Sequence, residues 1–139
     1  MEDIRITALM TEELITINCN EVLSKAAEIF GQHSFHHLPV VDDSGALKGI
    51  ISRTDMDKSS SGLSMFRNPK KEEYDAAMRR TLRACDIMTR DVLVMQATDG
   101  IHSAYKIFKK NKVHCLPIEE RGILVGIVTP LDLLDYFFT

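Results

Sequence analysis

The sequence predicts an α/β (α+β) fold built from two tandem β-α-β-β-α units related by pseudo-two-fold symmetry. Three observations point there. The first is internal repetition, the mark of a fold made from copies of one unit. Met10-Thr11 recurs 78 residues on as Met88-Thr89. At the same offset Ala26 falls on Ala104, Ile29-Phe30 on Ile107-Phe108, His36 on His114 and Leu38-Pro39 on Leu116-Pro117. After one deletion in a turn, Gly45, Leu47, Gly49-Ile50 and Asp55 fall on Gly122, Leu124, Gly126-Ile127 and Asp132. The second observation is a change of hydrophobic period within each copy, from short apolar runs to helical spacing and back. The third is size. The 139 residues make one ordinary domain or two very small ones, and a unit of about 55 residues buries too little apolar surface to stand comfortably alone. The copies are therefore expected to pack together, with matching residues of each lining a cleft between them.

In chain order, Leu14-Ile15-Thr16-Ile17 and Val92-Leu93-Val94-Met95 are runs suited to a buried strand. A helix follows each. Asn20 is placed to cap the first, with Val22, Ala26, Ile29 and Phe30 at helical spacing. Thr98 is placed to cap the second, with Ile101, Ala104, Ile107 and Phe108 as its stripe. Two strands joined by a turn come next: 35–41 and 46–51 around Asp42 to Gly45, then 113–118 and 123–128 around Glu119 to Gly122. A closing helix begins at Ser52 in one copy and at Thr129 in the other. Residues 1–57 are thus the first unit, 58–80 a linker and 81–139 the second unit. Within the linker, Lys58 to Gly62 reads as a flexible loop. Asn68 at the cap and Pro69 at the first helical position open a short amphipathic helix. Tyr74, Ala77, Met78 and Thr81-Leu82 are its inner stripe, and Lys70, Lys71, Arg79 and Arg83 its outward basic face.

Composition excludes several classes of function. Seventeen Lys and Arg against 20 Asp and Glu leave a net charge of −3, the wrong balance for a mainly electrostatic nucleic-acid binder. No run approaches the roughly 20 apolar residues of a membrane span, and the N-terminus lacks the basic and apolar regions of a signal peptide. Cys19, Cys85 and Cys115 are odd in number and widely spaced, so no disulfide framework is expected and a reducing cytoplasm fits.

Two repeated formulas carry the candidate chemistry. The first is Gly49-Ile50-Ile51-Ser52-Arg53-Thr54-Asp55 and its echo Gly126-Ile127-Val128-Thr129-Pro130-Leu131-Asp132. Ser/Thr-x-x-Asp before an apolar run is a helix capping box. The same geometry leaves backbone N–H groups at a helix start, where an anion can sit. The carboxylate three residues on is placed to accept hydrogen bonds from a ribose diol. Cap and ligand site coexist until a ligand competes for the Asp. The second formula is Phe35-His36-His37-Leu38-Pro39-Val40-Val41-Asp42, echoed as Val113-His114-Cys115-Leu116-Pro117-Ile118. A proline inside a strand removes a ladder donor and marks an edge or a bulge. Its neighbours' backbone groups are then open to an adenine edge.

The Met-Thr opening, the helix, the His-x-Leu-Pro strand, the Gly turn and the Gly-h-h-Ser/Thr-x-x-Asp elbow, in this order and twice, resemble the cystathionine-β-synthase (CBS) domain. Two in tandem resemble a Bateman module, a pair of units packed by their sheets. The resemblance implies a cytoplasmic regulatory sensor of an adenosine nucleotide (AMP, ADP or ATP) with no obligatory cofactor and no metal. It also implies a homodimer that signals to an effector protein and works with neither membrane nor nucleic acid. Carried over by position, Asp55 and Asp132 meet ribose hydroxyls, and Ser52 and Thr129 meet phosphate. Thr16 with Leu38-Pro39 lines the adenine pocket of the first site, and Val94 with Leu116-Pro117 that of the second. His36-His37 and His114 match phosphate-contacting positions. His37 and Cys115 stand where nucleotide-sensing members have Arg, so permanent charge is missing there. Arg53 is expected to supply it in the first site, where Pro130 stands in the second. The first site is therefore expected to take the more highly charged ligand.

Other readings are weaker. His33, His36, His37, His114 and Cys115 have no characteristic metal-ligand spacing. A hydrolase using Ser52, a His and Asp55 lacks both a nucleophile elbow and a Gly-rich phosphate loop. The seven Met residues are spread over apolar positions and read as core. The serious alternative is an interaction or dimerisation module whose pockets take no nucleotide.

Overall fold

The computed structural model describes residues 3–59, 71–111 and 113–139. It is a mixed α+β structure with two three-stranded sheets of identical topology. In the first, β1 (Ile17–Asn18), β2 (His37–Val41) and β3 (Leu47–Ser52) are joined through α1 (Leu23–Gln32) and followed by α2 (Arg53–Ser59). The helices α3 (Lys71–Thr81) and α4 (Ala84–Ile87) come next. The second sheet holds β4 (Met95–Gln96), β5 (Leu116–Glu120) and β6 (Ile123–Val128), with α5 (Ile101–Asn111) after β4 and α6 (Pro130–Phe138) after β6. In both, the first strand runs parallel to the second, which pairs antiparallel with the third.

Packing divides the chain into two compact units, Ile15–Val92 and Met1–Leu14 with Leu93–Thr139. Each Met-Thr opening joins the sheet of the copy it does not belong to by sequence. Thr11 and Ile127 exchange two backbone hydrogen bonds of 2.8 and 3.0 Å. Ile50 and Thr89 do the same at 3.0 and 2.8 Å. The preceding methionines pack on the glycines of the elbow strands, Met10 on Gly126 and Met88 on Gly49, where any Cβ would collide. The core of the Ile15–Val92 unit gathers Leu23 and Ala26 of α1 with Leu38, Val40 and Ile51 of the sheet. That of the other unit gathers Ile6, Met95, Leu116, Ile118, Val128 and Leu133.

Several local expectations change. The opening strands are only two residues long and lie later than 14–17 and 92–95. In a parallel ladder the next bonds toward the N-terminus would need the Pro39 and Pro117 N–H groups, which do not exist. The prolines sit in the central strands, not at an edge, and each is followed within two residues by a bulge, at Val40/Val41 and Ile118/Glu119. Asn20 does not cap α1. Val22 holds that position without a side-chain bond, and the Asn20 amide donates to Asn18 Oδ1 at 2.9 Å. Thr98 does not cap α5 either. It lies in the turn before Asp99, and Asp3 instead accepts from the His102 amide at 3.1 Å. The second hairpin turns at Arg121-Gly122, both at positive φ (53° and 81°), the two-residue geometry that matches strand twist.

The linker helix is present as α3 and packs against α1. Its expected start at Asn68-Pro69, Lys70 and the Lys58–Gly62 loop beyond Ser59 lie outside the described residues, as do the side chains of Lys71 and Tyr74. Its half-buried positions are Ala76, Met78, Arg79 and, just after it, Leu82, whereas Ala77 and Thr81 are exposed. The inner face is thus rotated from the expected one, and Arg79 contributes its stem to it instead of pointing outward.

Candidate ligand-binding site

The elbow after the third strand is the same in both units. The Asp55 amide donates to Ser52 Oγ at 3.0 Å, and the Ser52 amide donates to Asp55 Oδ2 at 2.8 Å. The Asp132 amide donates to Thr129 Oγ1 at 3.3 Å, and the Thr129 amide donates to Asp132 Oδ2 at 2.8 Å, with Pro130 at the first helical position. Each carboxylate works through one oxygen. About four lone-pair sites are available on an ionised carboxylate, so Oδ1 keeps its capacity to accept from a diol.

Sheet register gathers the other residues near these elbows. His37 pairs with Ser52, Leu38 with Ile51 and Pro39 with Ile50. Thr16 lies one residue before the first parallel pair, Ile17 with Val40, at the point where the ladder opens beside Pro39. The second unit repeats this. Leu116 pairs with Val128 and Pro117 with Ile127, and Val94 lies one residue before the Met95–Ile118 pair. Leu38, Pro39, Leu116 and Pro117 are fully buried, whereas Thr16 and Val94 are half-buried. Each unit therefore brings its apolar prolyl strand, its strand-opening residue and its Ser/Thr–Asp box to one end of its own sheet.

The charged groups are arranged less as expected. His36 and His114 are exposed just before the second strand, and His37 is half-buried at its first position. Arg53 turns away from the elbow. Its Nε donates to the Phe35 carbonyl and Nη2 to the Phe30 carbonyl, both at 2.8 Å, with a further bond to the His33 carbonyl. The guanidinium also lies over the Phe30 ring, 5.0 Å from its centroid. Carbonyls at the end of α1 and in the segment leading into β2 hold this charge, so a phosphate at Ser52 would have to compete for it. Cys115 is buried, and burial pushes its thiol up to about 12, with the Asp132 carboxylate adding to the shift. It is a neutral wall of the second elbow.

Among the described residues, no three His, Cys, Asp or Glu side chains come together as a metal site. A separate groove of about 360 Å³ lies between α5 and α6, lined by Ile4, Ile101, Tyr105, Leu133, Leu134 and Phe137, with Asp3 and His102 at its rim. It contains none of the expected ligand residues. Tyr105 of α5 and Leu134 and Phe137 of α6 are large apolar side chains left exposed, and none of them belongs to either repeated formula.

The fold and its matched elbows define a tandem pair of small α+β domains. The chain belongs to the CBS domain family, which matches residues 3–62 and 84–139. It is 35% identical over 128 residues to a CBS domain-containing protein of Dictyostelium discoideum, covering 91% of this chain and 86% of that one. It is 32% identical over 122 residues to the homoserine O-acetyltransferase of Methanobrevibacter ruminantium, matching 87% of this chain but spanning only 21% of the enzyme. Among solved structures it resembles the CBS domain of a membrane protein from Sphaerobacter thermophilus, at TM-score 0.80 and 27% identity over 96% of this chain and 87% of that one. The Arabidopsis thaliana CBS-pair protein CBSX2, solved with AMP, shares the fold at TM-score 0.76 and 22% identity, covering 96% of each chain. A CBS domain pair solved with 5′-methylthioadenosine and S-adenosyl-L-methionine does so at TM-score 0.75 and 24% identity, covering 98% of this chain and 97% of that one.

Proposed function

We propose that this chain is a non-catalytic regulatory module that binds an adenosine ligand, of the class AMP, ADP or ATP, and passes the signal on through a partner or through self-association. One observation carries the reading: the Ser52–Asp55 box recurs as Thr129–Asp132, each beside a buried Leu-Pro strand whose parallel ladder stops short. Box and strand offer, side by side, acceptors for a ribose diol, amides and a hydroxyl for phosphate, and an apolar wall for adenine. Related folds that hold AMP or S-adenosylmethionine support the choice of ligand class. With Arg53 committed to carbonyls, both elbows rely on neutral donors and on His36, His37 and His114 for phosphate. The expected charge difference between the two sites is correspondingly smaller.

The alternative, an interaction module with no nucleotide, is favoured by the apolar face of α6. Leu131 is 63% exposed, Phe137 62% and Phe138 83%, and such patches mark contact surfaces. A thermal-shift series with AMP, ADP, ATP, S-adenosylmethionine and a cyclic dinucleotide separates the two. Saturation at 100 times Kd adds about 2.7 kcal/mol, so an adenine ligand should raise Tm by several degrees. Asp55→Asn and Asp132→Asn preserve an acceptor for the cap but remove the charge, and together they should abolish the shift while the protein still melts cooperatively. No shift with any adenine compound at millimolar concentration overturns the sensor reading and leaves the interaction module.

A further inference from the structure

Cys19 lies in the turn that follows β1, and Cys85 lies in α4, far away in the chain. The two segments run side by side. The Leu23 amide donates to the Leu82 carbonyl at 2.8 Å, the Ala84 amide to the Glu21 carbonyl at 2.8 Å, and the Cys85 amide to the Cys19 carbonyl at 3.0 Å. The last bond joins the two cysteines themselves, which keeps their Cα atoms within about 7 Å. Disulfides span Cα separations up to about that distance. The side chains lie close enough to act on one another: burial pushes the Cys19 thiol above its ordinary pKa, and the neighbouring Cys85 thiol adds to the shift. Both are free thiols and only half-buried, so a small oxidant can reach them. Nothing in the ligand reading uses either residue.

We propose that Cys19 and Cys85 form a reversible dithiol–disulfide site that takes a low-molecular-weight disulfide such as glutathione disulfide as its oxidant. One cysteine thiolate attacks the oxidant, expelling one thiolate and forming a mixed disulfide. The neighbouring thiolate then displaces the second. Two S–H bonds are lost and one S–S bond is formed in the protein, while the oxidant leaves as two reduced thiols carrying the two electrons and two protons. The bridge ties α4 to the turn after β1. It thereby holds in place the Met88-Thr89 segment that pairs with β3. Cys115 is buried in the other unit and serves as an internal control.

The test incubates the reduced full chain with glutathione disulfide and measures intact mass, thiols after unfolding, and non-reducing peptide maps. The wild type should lose about 2 Da and fall from three titratable thiols to one, with Cys19 and Cys85 cross-linked and the change undone by dithiothreitol. Cys115→Ser should bridge as well as wild type. Cys19→Ser and Cys85→Ser should each stop at a single glutathione adduct on the remaining partner. Separate adducts on both cysteines of the wild type, intermolecular dimers as the main product, or no reaction while a cysteine-containing control peptide is oxidised would each overturn the proposal.

Discussion

Asp42 ends the second strand and turns the chain toward the third. Its Oδ1 accepts from the Ser44 hydroxyl at 2.6 Å, the Ser44 amide at 2.9 Å and the Ala46 amide at 3.0 Å, and Lys48 lies 3.5 Å from Oδ2. The Ser44 hydroxyl and the Ala46 amide do most to lower its pKa from 3.8 to about 2. A carboxylate depressed in the folded state stabilises the fold above its unfolded pKa and loses that contribution as pH falls through the folded value. Acid titration of stability should therefore show a loss between about pH 4 and pH 2 that Asp42→Asn removes. A variant whose acid limb follows wild type would contradict the assignment. The turn itself was readable in Asp42-Asp43-Ser44-Gly45, since Asp and Gly supply an acceptor and a positive φ, here 89° at Gly45. The direction of Arg53 was not readable. Its partners are main-chain carbonyls, and a carbonyl looks the same in every residue type.

At the level of elements, three glycines separate close packing from open helix. A Cβ on Gly49 would lie 2.6 Å from the Thr89 carbonyl oxygen, which is backbone and cannot swing aside. A Cβ on Gly126 would meet the Met10 side chain, which can. A Cβ on Gly31, near the end of α1, meets nothing within 4 Å. Denaturant unfolding should rank the alanine variants in that order. Gly49→Ala should cost about 1–3 kcal/mol by overpacking and Gly126→Ala less. Gly31→Ala should be stabilising by up to about 1 kcal/mol, because helical alanine loses less chain entropy than glycine. An inverted ranking would mean that the Met-Thr segments do not hold their places on the sheets. The elbow boxes were legible because capping is local chemistry over three residues. The opening strands were misplaced because apolar runs at 14–17 and 92–95 look alike along their length, and only the partner strand's proline decides where pairing starts.

For the molecule as a whole, the exposed face of α6 is the feature that composition hides. Tyr105, Leu134 and Phe137 line an apolar groove, and Leu131 and Phe138 extend the apolar surface beyond it. The homodimer expected from the family resemblance would cover this face, and we propose a second copy of this chain as its occupant. Sedimentation should find a dimer at micromolar concentration, and Leu134→Glu with Phe137→Glu should convert it to a folded monomer. A wild type that sediments as a monomer would remove self-association from the functional reading.

By itself the sequence did not show the short α4, but it determined the repeat, the β-α-β-β-α order within each copy, the paired Ser/Thr–Asp elbows and the Leu-Pro strands beside them. All of these rest on periodicity and on contacts between near neighbours in the chain. Tertiary structure alone decided which sheet each Met-Thr opening joins, where the Arg53 charge is used, and that Cys19 meets Cys85. These depend on main-chain groups brought together from distant segments, and a backbone N–H or C=O is the same whichever residue carries it. The length that suffices for two half-sized units therefore says nothing of how they share their first residues. That division follows from which strand edge each Met-Thr segment can reach and pair with.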